Sequence, residues 1–109
     1  MAGRLSLFIA IFLVAIVVTS CTTKSKQDKT WCVIKQIAPA DKMQAYIDSA
    51  CKEYDCKEIR QGGSCYEPRT LANHASYVLN LDYRATGRCN SDIGTTAITD
   101  PSFGTCHYP

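Results

Sequence analysis

A small α+β domain held together by disulfides is the fold class this chain predicts. Three observations carry it. Six cysteines fall between Cys32 and Cys106, two segments have helical spacing, and two short ones have strand composition. A seventh cysteine, Cys21, stands apart at the end of an apolar N-terminal run.

That run has the pattern of a secretory signal peptide over residues 1–21. Arg4 supplies positive charge, Leu5 to Val18 is apolar except for Ser6, and Thr19, Ser20, Cys21 and Thr22 are small. As a helix the run spans about 21 Å, short of a roughly 30 Å hydrocarbon core, which favours a cleaved signal over a membrane anchor. Cleavage after Ser20, Cys21 or Thr23 fits equally. If Cys21 leaves with the signal, six cysteines remain, an even number as expected of a secreted disulfide framework. Six cysteines allow fifteen pairings. The alternative for Cys21 is lipidation, because Val18-Thr19-Ser20-Cys21 loosely resembles a lipoprotein box.

Residues 22–30 are polar and lysine-rich with no apolar anchor, and read as a flexible arm. The ordered module is expected over 31–109. Trp31-Cys32-Val33-Ile34 has strand composition. Pro39 to Tyr54 reads as a helix: proline suits its first turn, Asp41 adds early negative charge, and Met43, Ile47, Ala50, Cys51 and Tyr54 share one face. Cys56 lies close enough to Cys51 to staple the helix end to the following turn. Gly62-Gly63 then call for positive φ or a close backbone approach. A second helix is expected from Pro68 to about Thr86, stopped by Gly87, with Leu71, Ala75, Val78, Leu79 and Asp82 at helical spacing and Ala72, Ser76 and Tyr83 beside them. Thr95 to Thr99 reads as a short strand ended by Asp100-Pro101. A module this small buries too little surface to be stable on its core alone, so the bridges matter.

The balance of 12 basic and 10 acidic residues, with no basic patch, speaks against a nucleic-acid partner and suits a neutral ligand. His74 and His107 are too far apart in kind, one mid-helix and one near the chain end, to suggest a zinc site when the cysteines are oxidised. Glycoside hydrolysis needs two carboxyl groups across a cleft. No motif frames Asp48, Glu53, Asp55, Glu58 or Glu67 for that role, so neither an enzyme nor a cofactor is expected. None of Asn73, Asn80 and Asn90 begins a glycosylation sequon.

The order Trp31-Cys32-Val33, Ala50-Cys51, Asp55-Cys56, Ile59, Gln61-Gly62-Gly63, Cys65-Tyr66 with Pro68, His74-Ala75-Ser76-Tyr77, Asn80, Tyr83, Cys89, Gly94, Ala97, Asp100-Pro101-Ser102 and Cys106 resembles the X8 domain, carbohydrate-binding module family 43 of plant cell-wall proteins. The resemblance runs from Trp31 to Pro109. It implies two helices with a small antiparallel sheet, tied by Cys32–Cys89, Cys51–Cys56 and Cys65–Cys106. It further implies a secreted, monomeric, non-catalytic module that binds β-1,3-glucan such as callose in the apoplast or cell wall, plasmodesmata included. The sequence ends shortly after Cys106 without a hydrophobic tail, so no membrane anchor is expected in the mature chain. Three places depart from the family pattern. Lys52 to Asp55 is short and glycine-free, Leu79 to Arg84 has two aromatics fewer, and Asn90-Ser91 replaces Asp-Phe. The lost aromatics bear on glucan affinity. They leave open an alternative from another class, a cysteine-rich defence or signalling protein that uses the scaffold to bind a protein.

Binding a neutral glucan calls for aromatic faces against the sugar rings and planar polar groups at their hydroxyls. Tyr66, Tyr77 and Tyr83 are the aromatics near the motifs, with Gln61, Asn80 and Arg84 as polar companions. Tyr77, Asn80 and Tyr83 are spaced by three and would form a row on one helix face. Each tyrosine has a structural alternative as a core residue with its hydroxyl at the surface. Trp31 reads as packing against a bridge.

Overall fold

A computed structural model describes residues 28–109. The expected signal peptide, Cys21 and the arm up to residue 27 lie outside the described residues. The chain runs through strand β1 (Trp31–Ile34), helix α1 (Ala40–Ala50), a single 3-10 turn (Lys57–Ile59), helix α2 (Leu71–Thr86) and strand β2 (Gly94–Ala97). The two strands pair antiparallel, with Trp31 opposite Ala97 and Ile34 opposite Gly94. The fold is the small α+β, three-disulfide class expected, and the bridges are Cys32–Cys89, Cys51–Cys56 and Cys65–Cys106.

Both helices are shorter than their sequence pattern. Pro39 caps α1 from outside in an extended conformation, and the helix ends at Cys51. Beyond it the amides of Glu53 and Tyr54 both turn back to the Ala50 carbonyl, and Cys56 closes its bridge onto Cys51. α2 begins three residues after Pro68, because the Thr70 hydroxyl accepts the Asn73 amide and caps the helix there. Its stop is the expected one: Gly87 adopts φ 77° and its amide donates to the Tyr83 carbonyl. β2 starts at Gly94 and gives way to a bend before Thr99.

The helical spacing identified the core faces. Ile47 and Ala50 of α1 are buried, with Met43, Cys51 and Tyr54 packed against the core. In α2, however, six consecutive residues from Ala75 to Asn80 are buried. Six residues sweep more than a full turn, so the middle of this helix is enclosed on every side rather than along one stripe. β1 and α1 both pack on it, and Tyr108 from the C-terminal segment closes over Tyr77, ring against ring edge-on at 5.4 Å. A second small core forms around Cys32, Leu79 and Ile93.

Two polar devices lock α2 to its neighbours. The Asp82 carboxylate accepts from the Tyr54 hydroxyl at 2.7 Å and the Tyr46 hydroxyl at 3.2 Å, joining it to α1 and the turn that follows. On the other side, the edge of β1 away from β2 has no strand beside it among the described residues. The Cys32 amide donates instead to Asn80 Oδ1 at 3.1 Å, and the Ile34 amide to Ser76 Oγ at 3.0 Å. Alternate strand amides lie about 6.8 Å apart. Residues four apart on a helix are separated by roughly 6 Å along its axis. The near match lets Ser76 and Asn80 stand in for the missing strand.

Candidate functional site

The loop Gln61–Tyr66 folds tightly back on the 3-10 turn. Gly62 takes φ 88°, and Gly63 lies so close to the turn that a Cβ there would sit 2.3 Å from the carbonyl oxygens of both Lys57 and Glu58. The Cys65 amide donates to the Glu58 carbonyl at 2.7 Å, and the Ser64 hydroxyl bonds the Glu58 carboxylate. Both glycine roles expected from the sequence are present, one at each position.

Between this loop, the end of α1 and the start of α2 lies an open groove of about 580 Å³. Ile47, Cys51 and Ile59 give it an apolar floor, and Asp48, Lys52 and Arg60 bring charged ends to it. Gln61, Tyr66 and His74 complete its lining. Tyr66 is half-buried and held from two directions. His74 stacks on it with ring centroids 5.9 Å apart and planes 19° from parallel, while His74 Nε2 meets the Tyr66 carbonyl at 2.8 Å. The Arg69 guanidinium lies 5.5 Å from the ring centre and pairs with Glu67. An apolar floor, an aromatic ring and planar or charged hydrogen-bonding groups at the rim are what a polyhydroxylated ring needs of a protein surface.

The six residues expected to bind do not come together. Gln61 and Tyr66 line the groove. Tyr77 and Asn80 are in the core, Asn80 with no exposed surface and its amide group donating to the Pro109 main-chain oxygen. Tyr83 and Arg84 lie further along α2, where they tie the ends of the module together. The Tyr83 and Thr30 hydroxyls are 2.6 Å apart, and Arg84 donates to the Thr30 and Pro109 main-chain oxygens. The row at three-residue spacing exists on the helix, but the C-terminal segment covers it. Asn80→Ala, which strands the buried Cys32 amide, is expected to cost about 2 kcal/mol in denaturant unfolding.

Burial also governs the phenols. It pushes Tyr108 up to about 12, with Tyr77 beside it adding to the effect. Tyr77 is raised by burial and by the Glu58 and Asp55 charges, and Tyr46 by burial and by Asp82. A phenol held protonated to higher pH in the folded chain contributes stability that is complete below its ordinary value of 10 and lost as pH rises to the folded value. The unfolding midpoint should therefore fall between pH 10 and about 12, and tyrosinate absorbance of the folded protein should lag behind that of the unfolded chain. Ionisation of all the phenols together near 10 would contradict this.

Sequence reading treats His74 as a metal or catalytic question and does not see it as the support of Tyr66. It also passes over Arg60 and Phe103. Phe103 had a visible signal, a large apolar side chain between Ser102 and Gly104 in a turn-rich segment. The neighbouring Asp100-Pro101-Ser102 is structural. Asp100 Oδ1 accepts the Ser102 amide, and Ser102 Oγ accepts the Tyr108 amide, which seats Tyr108 in the core. Hydrogen bonds from the Ser102 hydroxyl and amide hold the Asp100 carboxyl below its usual range. Trp31 is buried as expected, its indole N–H without a partner among the described residues.

Residues 30–93 match the X8 domain. The chain belongs to the X8 domain family. This X8 domain is 41% identical over 88 residues to the major pollen allergen Ole e 10 of Olea europaea, covering 74% of the chain and 72% of the allergen. It is 40% identical over 94 residues to a glucan endo-1,3-beta-D-glucosidase of Olea europaea, covering 81% of the chain but 20% of that protein. A glucan endo-1,3-beta-glucosidase of Triticum aestivum is 41% identical over 83 residues, 72% of the chain and 18% of its own length. The chain thus spans about a fifth of the glucosidases it matches. Among the described residues no group of three or more His, Cys, Asp or Glu could hold a metal ion, and no helix is long and apolar enough to cross a membrane.

Proposed function

We propose that this X8 domain is a secreted, non-catalytic module that binds β-1,3-glucan of the plant cell wall in the groove beside Tyr66. The observation that carries the reading is the supported ring itself: Tyr66, stacked on His74 in a groove whose lining includes Gln61 and Arg60. Relatives named as glucan endo-1,3-beta-glucosidases share this module, while most of their length lies outside it.

In this reading Tyr66 takes a sugar face and Gln61 and Arg60 bond its hydroxyls. Arg69, exposed and long, moves aside or lies along the sugar. Tyr77, Asn80, Tyr83 and Arg84 keep the surface in shape without touching the ligand. The mature protein is a monomer of the apoplast, plasmodesmata included, with no nucleic-acid partner and no cofactor.

The test is retention on insoluble β-1,3-glucan. Oxidised, folded protein should be retained, and Tyr66→Ala should lower the affinity about tenfold or more. Unretained native protein would reject the reading and favour the protein-binding alternative.

A further inference from the structure

We propose that the glucan site does not end at Tyr66 but continues into a second groove, where Phe103 is a second stacking platform. The inference rests on the reading of the Tyr66 groove as a sugar site. The second groove, about 370 Å³, is lined by the Gly62-Gly63 loop, and Tyr66 lines both grooves. A polymer laid along the first therefore meets the second without leaving the surface.

Three features suit this groove to a neutral sugar. Its far wall is Phe103, 41% exposed, without an aromatic partner among the described residues. An exposed ring outside the core gains little from hydration, whereas a sugar face would cover it. The groove is also nearly uncharged: Glu67 is the one charged residue lining it, and Glu67 is paired with Arg69 at 3.3 Å. Apart from Tyr66, the remainder is small residues (Gly62, Gly63, Ser64, Gly104 and Thr105), which leave room for a ring.

The platform is also rigid. Phe103 and Cys106 exchange both main-chain hydrogen bonds, at 3.0 and 2.8 Å, across a turn with Gly104 at φ 53°. The Cys65–Cys106 bridge and the Thr105 hydroxyl, which donates to the Ser64 carbonyl at 3.2 Å, fasten this turn to the loop that carries Tyr66. The two rings are thus set on one covalently linked frame, so little ordering is required when a ligand spans them.

Calorimetric titration with a β-1,3-linked glucotrisaccharide and hexasaccharide tests this, with amide shifts followed by NMR. The hexasaccharide should bind more tightly and move the Phe103, Gly104 and Thr105 amides, while the trisaccharide moves those around Gln61 and His74. Phe103→Ala should weaken the hexasaccharide about tenfold and leave the trisaccharide unchanged. Phe103→Tyr should retain affinity, and Phe103→Leu, which keeps the apolar bulk without a ring face, should lose it as alanine does. Hexasaccharide affinity unchanged by Phe103→Ala, or no better than trisaccharide affinity in the native protein, overturns the second groove and leaves the first intact. If native, folded protein binds neither oligomer, the Tyr66 reading fails and takes the extension with it.

Discussion

Replacing Cys32 and Cys89 together with alanine should destabilise the domain by about 4 kcal/mol, roughly twice the effect of removing Cys51 and Cys56. The first pair are separated by 57 residues and the second by 5. A bridge across the longer loop removes more freedom from the unfolded chain, and in the chain-entropy model the shorter one is worth about 2 kcal/mol. Cys32 adds a structural cost, since it is fully buried against Leu79 and Ile93 in the smaller core. A loss of 4 kcal/mol is a large share of the roughly 5–15 kcal/mol that holds an ordinary domain together. Denaturant unfolding of the two double variants under identical conditions provides the comparison. Equal losses, or a larger one from the short bridge, would refute the ordering.

Gly63→Ala is expected to have the next largest effect, on the order of 3 kcal/mol. The new methyl would lie 2.3 Å from two carbonyl oxygens, both main chain, so neither can swing away. The loop must lift off the 3-10 turn, which breaks the Cys65-to-Glu58 bond and displaces Tyr66. Gly62→Ala provides the control. It meets nothing within 4 Å but places a side chain at φ 88°, a cost of about 1 kcal/mol. Tyr66 lies in the displaced loop, so under the proposed glucan-binding function Gly63→Ala should also weaken retention of the folded fraction more than Gly62→Ala does. Alanine tolerated at Gly63 as well as at Gly62 would show that the close approach does not constrain the loop.

Local features were legible in the residues for local reasons. Proline and glycine marked the helix ends to within a few positions, because their backbone limits act whatever surrounds them. The even cysteine count called for bridges, though only the short Cys51–Cys56 pair had support from spacing. The placement of the candidate residues was half legible. Gln61 and Tyr66 belong to a loop whose shape is local, and they reach the groove. Tyr77 and Asn80 have the spacing of an exposed row and lie in the core.

The sequence by itself determined the class of the domain, its two helices, its strand segments and the loop that presents Tyr66, since each follows from short-range chemistry. Only the tertiary structure decided which sides of α2 would be free. That depended on the edge of β1 away from β2 meeting α2 rather than another strand, and on Tyr108 returning from the far end of the chain to cover Tyr77. An asparagine on a helix face can bond a sugar or an orphaned strand amide with equal chemical ease. Which of these it meets is set by contacts tens of residues away, beyond the reach of any local pattern.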